Sequence, residues 1–408
     1  MRILLWHGYL LGGTGSNVYT RALAREWSRA GHDVVVFCQE PQPDVYDLGG
    51  ARVVRPDIGG LLPVFVRDRY EGLEATLLPD FTSDERQGYV ELNAAALREE
   101  LPADFVFANH VLLGAPVGLA SGAPYIVKAH GSELEYSMRG NADLSAWGRE
   151  TLAGAEAVVV GSEHIRHVLE DVVGHVENVH EVPPGVDVDD FKPAPRDEAL
   201  AGLVAEARAD PPNDGNERLP DPGNAERFAD FFTTDEPTVV YFGKLLFNKG
   251  VHLLLESLRR LGARGVIVGF GDYREELEQI APPGTLFTGA LEHRHLVHLL
   301  PLADVVVVPS IFPEAFGMVA AEAAAAGVPP LVARHSGLAE IAAGLESEYP
   351  EDLRPLASFE GELTPKLQHL LELPDGTRRD LGAAARRAAV ERWSWRSVSE
   401  RLLSLHLR

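Results

Sequence analysis

The chain has 408 residues, 45% of them hydrophobic, and a formal net charge of −24. That length accommodates two domains of roughly 150–200 residues, each with its own core, and no apolar run approaches the roughly 20 residues needed to span a bilayer. The acidity argues against nonspecific nucleic-acid binding, which needs clustered cations. The single cysteine, Cys38, cannot form an internal disulfide, in keeping with a cytoplasmic location.

The opening, MRILLWHGYLLGGTG, turns glycine-rich too soon for a signal peptide and reads instead as a first strand, Ile3–Trp6. A glycine-rich loop then leads into a helix from Val18 to about Ala30, and Gly31-His32-Asp33 turns the chain into a second strand, Val34–Cys38. Gly12, Gly13 and Gly15 let backbone approach a ligand as a phosphate-cradling loop requires, but the spacing is not a complete G-x-G-x-x-G. No acidic residue ends the second strand, so a nicotinamide cofactor is not expected. Pro41 to Gln87 reads as irregular loops, with a faint apolar stretch at Leu61–Tyr70, and a helix is expected around Tyr89–Glu100. Two further strands end in Asn109-His110 and in His130-Gly131-Ser132-Glu133. Strand-end side chains converge on the ligand crevice of an open α/β sheet. His130, at such an end and followed by glycine, reads as functional, and His7 and His110 as structural. Asp187-Val188-Asp189 has the form of a D-x-D metal motif, but no histidine or third carboxylate joins it at ligand spacing, so no metal site is expected.

From Ala194 to Pro237 turn formers dominate and the segment reads as a linker or insertion. The strand Val239–Phe242 then ends in Gly243-Lys244, and Lys249-Gly250 opens a helix. Only five of the 37 basic residues are lysines, so two in one strand-to-helix loop are informative. Charge and glycine backbone together can grip a pyrophosphate. Another strand, a G-x-G turn and a helix occupy Gly265–Ile280, and a short strand reaches Gly289 ahead of Leu291. His293, His295 and His298 lie along one helix without a carboxylate or cysteine to complete a metal site, and read as a polar face. The apolar run Val305–Val308 suits a parallel strand covered on both faces. Pro309 and Pro313 stop it, and a helix opening on Phe316-Gly317-Met318 runs to Gly327. Glu314 before this helix and Glu322 within it can both accept from hydroxyl groups, while the helix start offers N–H groups to an anion. On their own, two glutamates so spaced read more readily as a cap and a solvated helix residue. The chain ends in an amphipathic helix with paired tryptophans.

The string E-A-F-G-M-V-A-A-E, Glu314 to Glu322, resembles the E-x7-E signature of retaining glycosyltransferases of family four, and Gly327–Ile341 resembles that family's continuation. The Gly12-Gly13 loop, H-G-S-E at His130, PPGVD at the domain crossing and the Gly-Lys/Lys-Gly loop extend the resemblance over nearly the whole chain. Lys244 stands where the family usually has arginine, replacing a bidentate fork by a point charge. The resemblance implies the α/β GT-B fold, two doubly wound Rossmann-like domains facing a cleft. The boundaries expected are 1–190 for an acceptor domain, 191–237 for the linker, 238–390 for a nucleotide-sugar domain, and 391–408 for a helix returning to the first domain. It further implies retaining transfer of a hexosyl group from a nucleotide sugar to a hydroxyl acceptor. His130 would attend the transferred sugar and Glu314 would hold its hydroxyls. Gly12 and Gly13 would lie near the donor phosphates, with the base beside Gly289 and Leu291 and the ribose on Glu322. Gly243, Lys244, Lys249 and the amides of Phe316, Gly317 and Met318 would stabilise the diphosphate, so that no catalytic metal and no cofactor are expected. A UDP-sugar is the first expectation for the donor and a GDP-sugar the second. The acceptor, whether sugar, glycan, lipid or small molecule, is not legible, and neither nucleic acid nor a membrane is indicated as a partner. The alternatives are an epimerase or hydrolase of the same fold and a non-catalytic sugar-nucleotide-binding protein.

Overall fold

The computed structural model describes residues 1–13, 15–65 and 74–407, apart from the side chain of Leu61. The residues fall into two units, Met1–Gly185 with Trp395–Arg408, and Val186–Ser394. Part of the apolar stretch at Leu61–Tyr70 thus lies outside the described residues.

In the first unit the strands are β1 (Arg2–Trp6), β2 (Asp33–Phe37), β3 (Arg52–Val54), β4 (Leu61–Val64), β5 (Glu74–Leu77), β6 (Phe105–Asn109), β7 (Tyr125–Lys128), β8 (Ala157–Val160) and β9 (Val179–Glu181). Seven of them form one parallel sheet in the order β3-β2-β1-β6-β7-β8-β9, and β4 and β5 pair separately. Chain order reverses between β1 and β6, which makes their carboxyl ends the switch point of a doubly wound sheet. Covered on both faces, β1 and β6 are almost wholly buried, as their unalternating apolar sequences require.

The helix expected from Tyr89 begins earlier, at Ser83. Thr82 caps it and Glu85 reaches back to the Thr82 backbone, a capping box that starts the helix in a polar first turn. The first helix likewise starts at Gly15 and ends at Arg29. The carboxyl-terminal helix, Trp395–His406, packs within this unit: the Trp27 indole donates to the Ser399 carbonyl at 3.2 Å, and Tyr19 and Trp395 meet edge to face.

The second unit contains β10 (Thr238–Phe242), β11 (Arg264–Val268), β12 (Thr285–Phe287), β13 (Val305–Val308), β14 (Pro330–Ala333) and β15 (Ser358–Phe359). Its parallel order is β12-β11-β10-β13-β14-β15, with the switch point between β10 and β13. The segment expected as a linker is part of this unit instead. Helices Arg196–Arg208 and Asn224–Phe231 bury Leu203 and Phe228 completely in its core. The intervening loop pairs with the sheet end, where Pro220 bridges Gly289 and Asp221 N–H donates to the Thr288 carbonyl at 2.8 Å. Arg274 holds Asp221 with two bonds, at 2.9 and 2.6 Å. The histidine-bearing helix is not a simple polar face either. His295 is buried against Asp210 at 3.0 Å, while His293 pairs with Asp190 at 3.1 Å. Among the described residues no helix is long and apolar enough to cross a membrane.

Candidate active site

In the second unit the loops that follow β10 and β13 carry the two lysines and Glu314, so the switch-point topology brings together residues far apart in sequence. Lys249 Nζ donates to Glu314 Oε1 at 2.5 Å. Glu314 is therefore not a helix cap: the helix starts at Met318, two residues later than expected, and no side chain caps it. Its first N–H groups, beside Phe316, Gly317 and Met318, are left to solvent or to an anion. Lys244 is exposed, and its carbonyl accepts from the Tyr241 hydroxyl at 2.8 Å. Burial first, and the charge of Glu314 second, push that phenol's pKa up.

Backbone contacts hold the loops in register. Ile311 N–H donates to the Asn248 carbonyl at 3.0 Å. Gly250, at φ 70°, lies so close to the other loop that a Cβ there would be 1.9 Å from the Pro309 oxygen. The G-x-G after β11 has the same kind of cause, since a Cβ on Gly269 would fall 1.8 Å from the Gly243 oxygen. Gly271, the second glycine of that turn, is packed likewise, a Cβ there falling 2.4 Å from the Leu245 oxygen.

Glu322 lies one turn beyond Met318 on the same helix face. No protein group among the described residues bonds its half-buried carboxyl, and desolvation pushes its pKa up to about 8. With its pKa so raised, the carboxyl can donate to a hydroxyl when protonated and accept from one when ionised. Gly289 is buried, with its carbonyl taken by Gly269 N–H at 2.9 Å and its other side bridged by Pro220. Leu291, next along, is half-buried.

In the first unit the loop after β1 and the ends of β6 and β7 converge on their own switch point. His130 Nε2 lies 2.9 Å from Asn109 Oδ1. An amide oxygen only accepts, so Nε2 carries the proton and Nδ1 keeps its lone pair. Burial, then the nearby Lys128 and His7, hold His130 well below the usual imidazole range, and the ring is neutral. Asn109 is fixed in turn, its amide donating to the Trp6 carbonyl and Thr20 Oγ1 at 3.4 and 3.3 Å. Gly12 accepts from the Asn17 amide, and Asn17 Oδ1 lies 2.8 Å from His7 Nε2. The His7 and His110 rings stack at 6.0 Å, and those of His110 and His130 lie 4.6 Å apart. Gly13, at φ 90°, is exposed beside this series. Glu133, fully buried, accepts the backbone N–H of His130 at 3.0 Å and of Leu112 at 3.1 Å, and burial pushes its pKa up to about 7.

Asn109 and Glu133 thus orient His130. Both stand at strand ends marked in the sequence, and Glu133 closes the H-G-S-E string, but nothing in the sequence assigned either of them a role. Asp187 Oδ1 accepts the backbone N–H groups of Asp189 and Asp190, both at 3.3 Å, so the D-x-D closes a turn. Among the described residues no cluster of three or more metal-ligating side chains is found.

Two parallel doubly wound sheets, each with polar residues gathered at its switch point, define a GT-B glycosyltransferase fold. The sequence profile described as glycosyl transferases group 1 matches residues 224–387, and that of glycosyltransferase family 4 matches residues 13–190. The chain belongs to these glycosyltransferases. It is 28% identical to a D-inositol 3-phosphate glycosyltransferase of Xylanimonas cellulosilytica, over 96% of this chain and 91% of that one. It is 27% identical, over 70% of each chain, to a GDP-mannose-dependent monoacylated alpha-(1-6)-phosphatidylinositol monomannoside mannosyltransferase of Corynebacterium glutamicum. Among solved structures, Anabaena HepE in complex with UDP-glucose superimposes with a TM-score of 0.65 at 16% identity, covering 99% of this chain and 98% of that one.

Proposed function

We propose that this glycosyltransferase moves a hexosyl group from a nucleoside-diphosphate sugar to a hydroxyl acceptor, with retention of anomeric configuration and without a catalytic metal. The observation that carries the proposal is the Lys249–Glu314 pair at the β10/β13 switch point, flanked by exposed Lys244 and an uncapped helix start. In this reading Lys244, Lys249 and the amides of Phe316 to Met318 take the charge of the departing diphosphate, and Gly243 allows the close approach. Transition-state charge of this kind is where preorganised cations and N–H groups have their largest effect. Glu322 engages the ribose, Leu291 and the backbone beside Gly289 face the base, and Glu314 holds the sugar hydroxyls.

The neutral His130, with Nε2 on Asn109 and its other ring nitrogen turned to the Glu133 backbone N–H, steadies the transferred sugar in this reading, with Gly12 and Gly13 at the same sheet end. Among the described residues at that sheet end, Glu133 is sealed and spent on backbone N–H groups and Glu40 accepts the N–H groups of Leu11 and Gln42, so neither is placed as a nucleophile. This favours retention in which a leaving-group oxygen takes the acceptor proton on the same face. A UDP-sugar is proposed first and a GDP-sugar second, since one relative's name specifies GDP-mannose and a structural neighbour was solved with UDP-glucose.

The test is thermal unfolding against UDP, GDP, ADP and their sugar conjugates, with and without EDTA. A ligand at about 100 times its dissociation constant adds roughly 2.7 kcal/mol. A shift selective for one base and unchanged by EDTA is expected. No shift with any member of the panel would overturn the donor assignment, and a shift abolished by EDTA would overturn metal independence.

A further inference from the structure

Ser336 is one of three non-glycine residues with positive φ among those described, at 48°. That region is costly for any residue with a Cβ, and persists where surrounding structure fixes it. Here the conformation aims the side chain at the corner loop. Glu314 N–H donates to Ser336 Oγ at 2.8 Å, and His335 Nδ1 lies 3.0 Å from the same oxygen. His335 Nε2 lies 2.7 Å from the Ser310 carbonyl. A carbonyl only accepts, so Nε2 carries the proton and Nδ1 accepts the Ser336 hydroxyl proton. Every bond in the chain from Ser310 through His335 and Ser336 to Glu314 then has a fixed direction.

The next residue completes the grip. Gly337 N–H donates to the Glu314 carbonyl at 2.9 Å, and a Cβ on Gly337 would lie 2.5 Å from the Ala315 oxygen. Both backbone groups of Glu314 are therefore held by the start of the helix Ser336–Glu346. Ser310, at the far end, also donates through Oγ to the Asn248 carbonyl at 3.3 Å, in the loop that bears Lys249. Nothing else in this network requires a serine at a left-handed position.

We propose that His335 and Ser336 are positioning residues for Glu314, and that Ser336 keeps its strained backbone so that its hydroxyl can fix where the Glu314 carboxylate is presented. The inference rests on the reading of Glu314 as the group that holds the donor sugar. It predicts that relieving the strain stabilises the fold while impairing the reaction, a combination that a merely structural serine would not give.

The experiment compares wild type, Ser336→Gly, His335→Phe and Glu314→Gln by nucleoside-diphosphate release from UDP-, GDP- and ADP-sugars, with titration of the free nucleotides and thermal unfolding. For Ser336→Gly the unfolding midpoint should stay or rise and free-nucleotide affinity should be unchanged. Its kcat should fall about 10- to 100-fold, the scale of an ångström of misplacement at a reacting group. His335→Phe, which leaves the backbone requirement at Ser336 in place, should lower kcat similarly. Wild-type kcat in Ser336→Gly, or a loss matched by weaker nucleotide binding and a lower midpoint, overturns the proposal. If Glu314→Gln turns over normally, or wild type releases nothing from any sugar nucleotide, the reading of Glu314 fails and the proposal falls with it. Loss in Glu314→Gln without loss in the Ser336 and His335 variants leaves that reading standing and removes only the positioning role.

Discussion

The pairing of Lys249 with Glu314 makes a prediction with opposite signs for binding and turnover. Lys249 is replaced by Met and Glu314 by Gln, singly and together. The charged atoms are 2.5 Å apart, yet the side chains keep 30% and 21% of their surface in water. A pair so hydrated couples by about 1 kcal/mol, which for a domain of this size is about 2–4 °C in the unfolding midpoint. The fold therefore survives either replacement. In the wild type Glu314 partly neutralises Lys249, the cation proposed to meet the diphosphate. Glu314→Gln should thus bind free UDP or GDP more tightly, by up to about fivefold if the full 1 kcal/mol is recovered. It should nevertheless turn over about 100-fold more slowly, the scale of one lost transition-state contact. Lys249→Met should lose both affinity and turnover. Calorimetric titration with the nucleoside diphosphate and initial rates with the sugar nucleotide supply the two readings. A coupling of 3 kcal/mol or more in unfolding, together with near-normal turnover in both single variants, would identify the pair as a structural tie and refute the reasoning.

Two other predictions concern the same corner. Burial raises the folded-state pKa of Glu322 from 4.5 to about 8. Its contribution to stability is therefore full below pH 4.5 and disappears as pH rises through about 8, with a slope of at most about 1.4 kcal/mol per pH unit. The midpoint of wild type minus that of Glu322→Gln should fall across that window, and a flat difference would show that the carboxyl is already ionised. Gly250→Ala forces a Cβ to within 1.9 Å of the Pro309 oxygen at φ 70°. It should cost about 2 kcal/mol or more, lower the midpoint by about 4–8 °C, and reduce turnover by parting the lysine loop from the Glu314 loop. Unchanged melting and rate would mean that the two loops do not depend on this contact.

The strands that frame the site were legible because β10 and β13 are buried on both faces, and an unalternating run such as Val305–Val308 reports that directly. Helix starts were less so. Thr82 and Glu85 carry the capping signal, but the Ser-Asp-Glu-Arg-Gln that follows shows no apolar face, and periodicity finds such a helix only where its buried side begins. The segment 194–237 misled for a related reason: a few apolar residues, Leu203 and Phe228 among them, suffice to anchor it, and a high density of turn formers masks so small a number.

The pairings that organise the candidate site belong to a different class. Lys249 and Glu314 are 65 residues apart, and Ser336 and Glu314 are 22 apart. Neither separation has a local meaning. What places the lysine beside the glutamate is that β10 and β13 are neighbours in the sheet although β11 and β12 intervene in the chain, so the loops leaving their carboxyl ends must share one crevice. A motif at the end of a strand thus acquires its partner from the order of strands. Topology supplies the lysine to Glu314, and only then does side-chain chemistry, down to a serine in a left-handed turn, decide how the carboxylate is held.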